Sequence, residues 1–297
     1  MPNSAPRQVN ATVYALVSVL AVVIVFGLKF MTVESHDASR SLPQQTLSQS
    51  AGVVIQDKNN SLSEANEAWL QDTIRTQMQF HGQHTPLQEA LTVKVSLWES
   101  DADFKDYQRR ISKSSRSPKG FYSISRQELV VNKSRPDYLK TLAHEAQHLL
   151  IRRDRFRPPK WLNEGLSEYF EEMAVESSGE RVIVEQSWRS ERLQQWLAAG
   201  ELPPLSQFLN RSSAEWKLQD KKIPYLSQTL SWGLAYFLMQ NPQGRTALIH
   251  TIKDLKAGKD GGDSPRVLND YYALSQLEQD FYRFIPDIPP QQKYLQE

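Results

Sequence analysis

Two imidazoles and a carboxylate stand within the five residues His144-Glu145-Ala146-Gln147-His148. On an α-helix, residues four apart lie one above the other, so His144 and His148 can aim two nitrogen ligands at one metal ion with Glu145 beside it as a general base. The spacing suits a zinc ion and hydrolysis by an activated water. A catalytic zinc takes three protein ligands and keeps one position open, whereas a structural zinc usually takes four. The chain has no cysteine, and the third ligand is assigned to Glu164.

These residues need a helix under each ligand. Ser134 and Pro136 give start signals for the first, Leu139, Leu142, Ala146 and Leu149 mark its apolar stripe, and Arg152 and Arg153 fall in its last turn. Pro158-Pro159 ends that helix and opens a second over residues 161–170, packed back on the first with Glu164 as its inward carboxylate. Glu168, one turn later, is a candidate to accept the other ring N–H of a ligating histidine and fix its tautomer. The alternative for Glu168 and Glu171 is a solvated acidic face.

The HExxH sequence followed by Trp161-Leu162-Asn163-Glu164-Gly165 and the continuation Glu168-Tyr169-Phe170-Glu171 resembles the gluzincin metallopeptidases, and more closely the small bacterial peptidases of the MA-like type. The resemblance implies an α+β fold like the catalytic domain of thermolysin and the zinc aminopeptidases, with a small sheet before the HExxH helix and a mostly helical C-terminal part. It also implies zinc held by His144, His148 and Glu164, with Glu145 as base. Fifteen residues separate His148 from Glu164, a shorter interval than in the aminopeptidases. Their upstream G-x-M-E-N segment, which binds a substrate's free amino terminus, is missing here, so the resemblance implies an endopeptidase.

Downstream, Ile223-Pro224-Tyr225-Leu226 leads into an apolar helix at 229–240 and resembles the family's tyrosine-bearing helix start. Carried over, Tyr225 becomes the phenol that donates to the oxyanion of the tetrahedral intermediate. The alternative is an ordinary helix-start aromatic packed on the core, the role expected for Tyr236. Upstream, residues 91–98, 120–125 and 128–132 read as strands, the last two joined at Arg126-Gln127. In gluzincins the edge strand of such a sheet holds an extended peptide by backbone pairing, which implies a peptide or protein substrate.

Lys+Arg 35 against Asp+Glu 34 argues against a nucleic-acid partner. Residues 101–160 nevertheless hold 15 basic against 7 acidic side chains, a stretch that reads as a solvated face or as one that meets anionic lipid or acidic substrate. Ala11 to Leu28 is an uncharged run of 18 mostly apolar residues, extended past Lys29 to Val33. It is long enough to cross a bilayer. The expected organisation is a short tail at 1–10, a transmembrane signal anchor at 11–33, a Ser- and Gln-rich linker at 34–60, a metallopeptidase domain at 61–285 and a tail at 286–297. A cleaved signal peptide is the alternative to the anchor. The anchor reading makes the chain a single-pass membrane protein with its catalytic domain on the extracytoplasmic side, as at a bacterial inner membrane facing the periplasm.

Further helices are expected at 61–80, 187–199, 245–257 and about 265–284, while His81 and His84, an HxxH pair without a carboxylate, are expected to be structural or exposed. Two other classes remain open from the sequence: a non-catalytic membrane-tethered scaffold on the same fold, and a chaperone-like assembly factor in which zinc serves stability.

Overall fold

The computed structural model describes residues 52–83, 90–112, 117–175, 181–183 and 187–288. The proposed tail at 1–10, the anchor at 11–33, most of the linker, His84 and nearly all of the C-terminal tail lie outside the described residues. Among the described residues no helix is long and apolar enough to cross a membrane.

The fold is α+β, with a small mixed sheet followed by a helical C-terminal part. Strand β1 (Val53–Asp57), helix α1 (Glu64–Gly82) and strand β2 (Leu91–Trp98) form a parallel crossover unit. Helix α2 (Asp101–Ile111) follows, then the hairpin β3 (Gly120–Ser123) and β4 (Glu128–Asn132). The turn between them contains Gln127 at φ 50°. The sheet order is β1-β2-β4-β3, so β4 is internal and β3 is an edge. All five residues of β4 are buried, as an internal strand covered on both faces requires. Residues 53–57 correct the expected linker: Val53 is buried and the strand pairs along its whole length with β2. Its Val53-Val54-Ile55 run is β-branched, but it is short and set in a Ser-, Gln- and Asn-rich stretch whose composition reads as tether.

Two helices carry the candidate ligands. Helix α3 (Tyr138–Ile151) lays Leu142, Ala146, Leu149 and Leu150 on the sheet and on Leu70, Ile74 and Met78 of α1. Helix α4 (Lys160–Phe170) turns Trp161, Leu162, Leu166 and Phe170 into a separate core. That core is shared by α5 (Ser187–Ala198), α6 (Leu205–Leu209), α7 (Ser213–Lys222), α8 (Leu226–Gln240), α9 (Pro242–Lys256), α10 (Ser264–Asn269) and α11 (Leu274–Phe284). A two-stranded ribbon, Met173–Val175 with Arg181–Ile183, follows α4.

The ligand helices therefore lean chiefly on different cores, which join where Phe80 of α1 and Ile151 of α3 reach into the core of α4. Gly165 sets the depth of α4 against α8, since a Cβ there would lie 2.5 Å from the Ser231 carbonyl oxygen. Gly120 does the same for β3 against α3, where a Cβ would meet Thr141 Cγ2 at 2.7 Å. The single helix expected over 265–284 is two, broken at residues 270–273, where Ala273 leaves the helical region at ψ 122° and the Asn269 side chain accepts the Leu274 N–H at 3.0 Å.

Candidate metal centre

The Nε2 atoms of His144 and His148 lie 3.9 and 4.0 Å from the same Glu164 oxygen, Oε2. Their rings stand at 88° with centroids 4.7 Å apart. The three donor atoms lie within 4.8 Å of one another, so His144, His148 and Glu164 can hold a metal ion.

The atoms that do not face inward are engaged by other groups. His144 Nδ1 is 2.9 Å from Glu171 Oε2, and a carboxylate there can only accept, so Nδ1 carries the proton and Nε2 is turned to the centre. His148 Nδ1 is 2.9 Å from Ser167 Oγ. The Ser167 hydroxyl donates to the Asn163 carbonyl at 2.8 Å, which makes it the acceptor for His148. Asn163 Nδ2 donates to Glu164 Oε1 at 3.1 Å and leaves Oε2 to face the imidazoles. The donor set, with both imidazole tautomers directed inward and one carboxylate oxygen between them, fits a divalent ion.

The expected partner of a ligand ring was Glu168; the structure gives that role to Glu171. The helices are antiparallel, so His148 meets Ser167, and His144, one turn earlier on α3, meets Glu171, one turn later along the chain. Glu168 forms a buried ion pair with Arg189 while its carboxylate stays within 4.8 Å of the facing atoms of His144 and Glu171. Arg189 also approaches Glu171 at 3.9 Å. Ser167, Glu171 and Arg189 were missed because their roles depend on this antiparallel register. The available signal was that a partner for the earlier histidine must lie later on the second helix.

Glu145 is only 6% exposed. Burial pushes its carboxyl up to about 7, against the charge of His144, and the backbone of Tyr122 hydrogen-bonds it. Since Tyr122 belongs to β3, the free edge of the sheet comes directly to the candidate base. Burial alone would lower His144, but the hydrogen bond and charge of Glu171, with the charges of Glu168 and Glu145, raise it to about 10. Burial depresses His148 to about 3. Glu164 is held below its ordinary value despite burial, because His148 and His144 stand beside it.

Tyr225 is the residue preceding α8 and adopts φ 67°, a left-handed conformation uncommon for an aromatic side chain. It is 58% exposed, so it is not a core aromatic, whereas Tyr236 is buried. Its ring meets the edge of Trp188 at 6.3 Å, and Trp188 in turn lies 4.5 Å from the guanidinium of Arg189. His81 is buried and bonded to Gln147 at 2.9 Å, away from the ligand cluster. No protein-family model matches the chain, and no curated protein sequence matches it.

Proposed function

We propose that the chain is a zinc-dependent peptidase of the gluzincin type, acting as an endopeptidase, anchored by residues 11–33 with its catalytic domain outside the cytoplasm. One observation carries the reading: two imidazoles and a carboxylate converge, each held by its own neighbour, beside a buried glutamate that a free strand edge reaches. Two imidazoles with one carboxylate form a catalytic zinc set that leaves a position for water and substrate.

Held by His144, His148 and Glu164, a zinc ion would supply Lewis acidity to a bound water and to a substrate carbonyl. The open edge of β3 receives an extended substrate by backbone pairing and so presents a peptide carbonyl to Glu145. Glu145 accepts the proton of the attacking water and returns it to the leaving amine, and burial brings it toward the pKa range suited to both steps. Tyr225 donates its phenol hydrogen to the oxyanion; a left-handed backbone at an exposed tyrosine is the local strain that often accompanies such a role.

The purified protein is expected to contain about one zinc per chain, as a catalytic site requires, and to cleave internal bonds of a peptide library. Glu145→Gln should keep the zinc and lose the cleavage. Absence of zinc, or cleavage by Glu145→Gln at the parental rate, would overturn the reading. For the anchor, the full-length chain should resist carbonate extraction and expose its domain to protease added from the extracytoplasmic side; protection there would reverse the orientation.

A further inference from the structure

Glu164 also forms part of the wall of a cleft of about 470 Å³ between α4, α7 and the start of α8. Helical spacing explains what lines it. Lys160 and Glu164 lie one turn apart on α4, and Trp216, Lys217, Asp220 and Lys221 share one face of α7. Gln228 of α8 closes the far side. Three cations thus face two carboxylates, and neither carboxylate is committed to a lysine. Glu164 turns one oxygen to the imidazoles and the other to Asn163. Asp220 accepts the Ser227 N–H at 3.0 Å in the first turn of α8.

Six lysines elsewhere behave differently, while Lys94, Lys222 and Lys253, like those of the cleft, form no ion pair among the described residues. Lys58, Lys105, Lys119, Lys133, Lys140 and Lys259 each reach a carboxylate. Among the described residues, Lys160, Lys217 and Lys221 form no ion pair, although Lys160 is fixed with its ammonium 4.5 Å from the Trp216 ring centre. An ammonium over an aromatic face has further N–H donors to offer a ligand.

We infer that this cleft is a substrate subsite for a carboxylate, so that the site prefers peptides carrying an acidic group near the scissile bond. The inference rests on the peptidase reading for the word substrate, and on the cleft alone for the binding chemistry. Cations along a concave wall raise the local concentration of anionic ligands and discriminate against basic ones. The carboxylate can come from an Asp or Glu side chain or from a peptide's own C-terminus, and the test separates the two.

The experiment measures fluorescence-anisotropy binding by the purified, zinc-loaded full-length chain. The probes are peptides in which Glu, Gln or Lys is walked through each position, each made with a free and an amidated C-terminus. At one position the Glu peptide should bind about tenfold more tightly than the Gln peptide, and the Lys peptide more weakly than both. Added salt should narrow the difference. Lys217→Glu/Lys221→Glu, two exposed positions, should reverse the order, the neutral Lys217→Gln/Lys221→Gln should level it, and Lys253→Glu on α9 should leave it intact. A preference lost on amidation assigns the group to the chain terminus, and one that survives assigns it to a side chain. Equal binding of Glu and Gln peptides by the parent, or an unchanged preference in the reversed variant, overturns the inference. Charge-dependent binding without any hydrolysis would sink the peptidase reading and leave the subsite standing; hydrolysis without charge preference would do the opposite.

Discussion

Helix α3 carries polar groups on two sides, and they have opposite fates. On one side His144 and His148 face Glu164, with a carboxylate or a hydroxyl on each outer nitrogen. On the side turned away, Gln147 lies fully buried against His81 at 2.9 Å, while Gln77 of α1 donates to the Ala143 carbonyl. Both regions bury histidine. The first surrounds it with the carboxylates of Glu164 and Glu171, and a buried cation needs anionic neighbours to offset its lost hydration. The difference teaches that burial and spacing do not make a ligand; a directed tautomer and a nearby negative charge do.

The largest effect should come from the ligands themselves. His148→Ala and Glu164→Ala should each abolish stoichiometric zinc in elemental analysis, whereas His81→Ala should retain it. Zinc lost equally from all three would dissolve the contrast between the two sides of α3.

Next comes the base. Glu145→Gln should lower kcat by about a thousandfold without loss of metal, since an amide of nearly the same shape cannot accept the proton. Tyr225→Phe should lower kcat by about a hundredfold with little change in KM, because its hydrogen bond forms mainly in the transition state. An unchanged kcat would leave Tyr225 as an exposed helix-start residue.

A smaller effect sharpens the role of the outer nitrogens. Glu171→Gln should weaken zinc binding by about tenfold to a hundredfold. A pH signature accompanies it. Without an ion, His144 is lifted to about 10 by Glu171 against the pull of burial, so across the neutral range it carries a proton that the metal must displace. Apparent zinc affinity should therefore rise about tenfold per pH unit toward that value. In Glu171→Gln the lifted value is lost and the slope above neutrality should flatten. Competitive chelator titrations from pH 6 to pH 9, a window chosen around the ordinary imidazole range, would show either slope; parallel slopes would remove Glu171 from this role.

The smallest effect lies on the far side of α3. His81→Ala should leave the Gln147 amide without a partner and cost about 1–3 kcal/mol in a denaturant melt, with metal content and kcat unchanged. A shift in zinc affinity with that variant would couple the two sides of α3.

Much of the site was legible because helical geometry is local. The i, i+4 spacing of His144 and His148 places both imidazoles on one face whatever surrounds the helix, and Pro158-Pro159 obliges a second helix to begin where Glu164 can return to them. The β3–β4 hairpin was readable from alternation around Arg126-Gln127, and the apolar face of α1 from Leu70, Ile74 and Met78. Strand β1 has only a three-residue β-branched signal, Val53-Val54-Ile55, masked by its polar surroundings, and parallel pairing with β2 supplies most of its fixation. Glu168 and Glu171 could not be ranked from spacing alone.

The sequence by itself thus determined that two imidazoles and a carboxylate share a helix and that a second carboxylate follows on another, since both depend only on residue type, helical period and proline. The tertiary structure decided which groups hold those ligands and what lies beside them. Antiparallel packing of α3 on α4 chose Ser167 and Glu171, Arg189 from α5 took Glu168, and α7 brought Lys217 and Lys221 beside Glu164. These meetings join residues far apart in the chain, and their geometry is set where two cores meet.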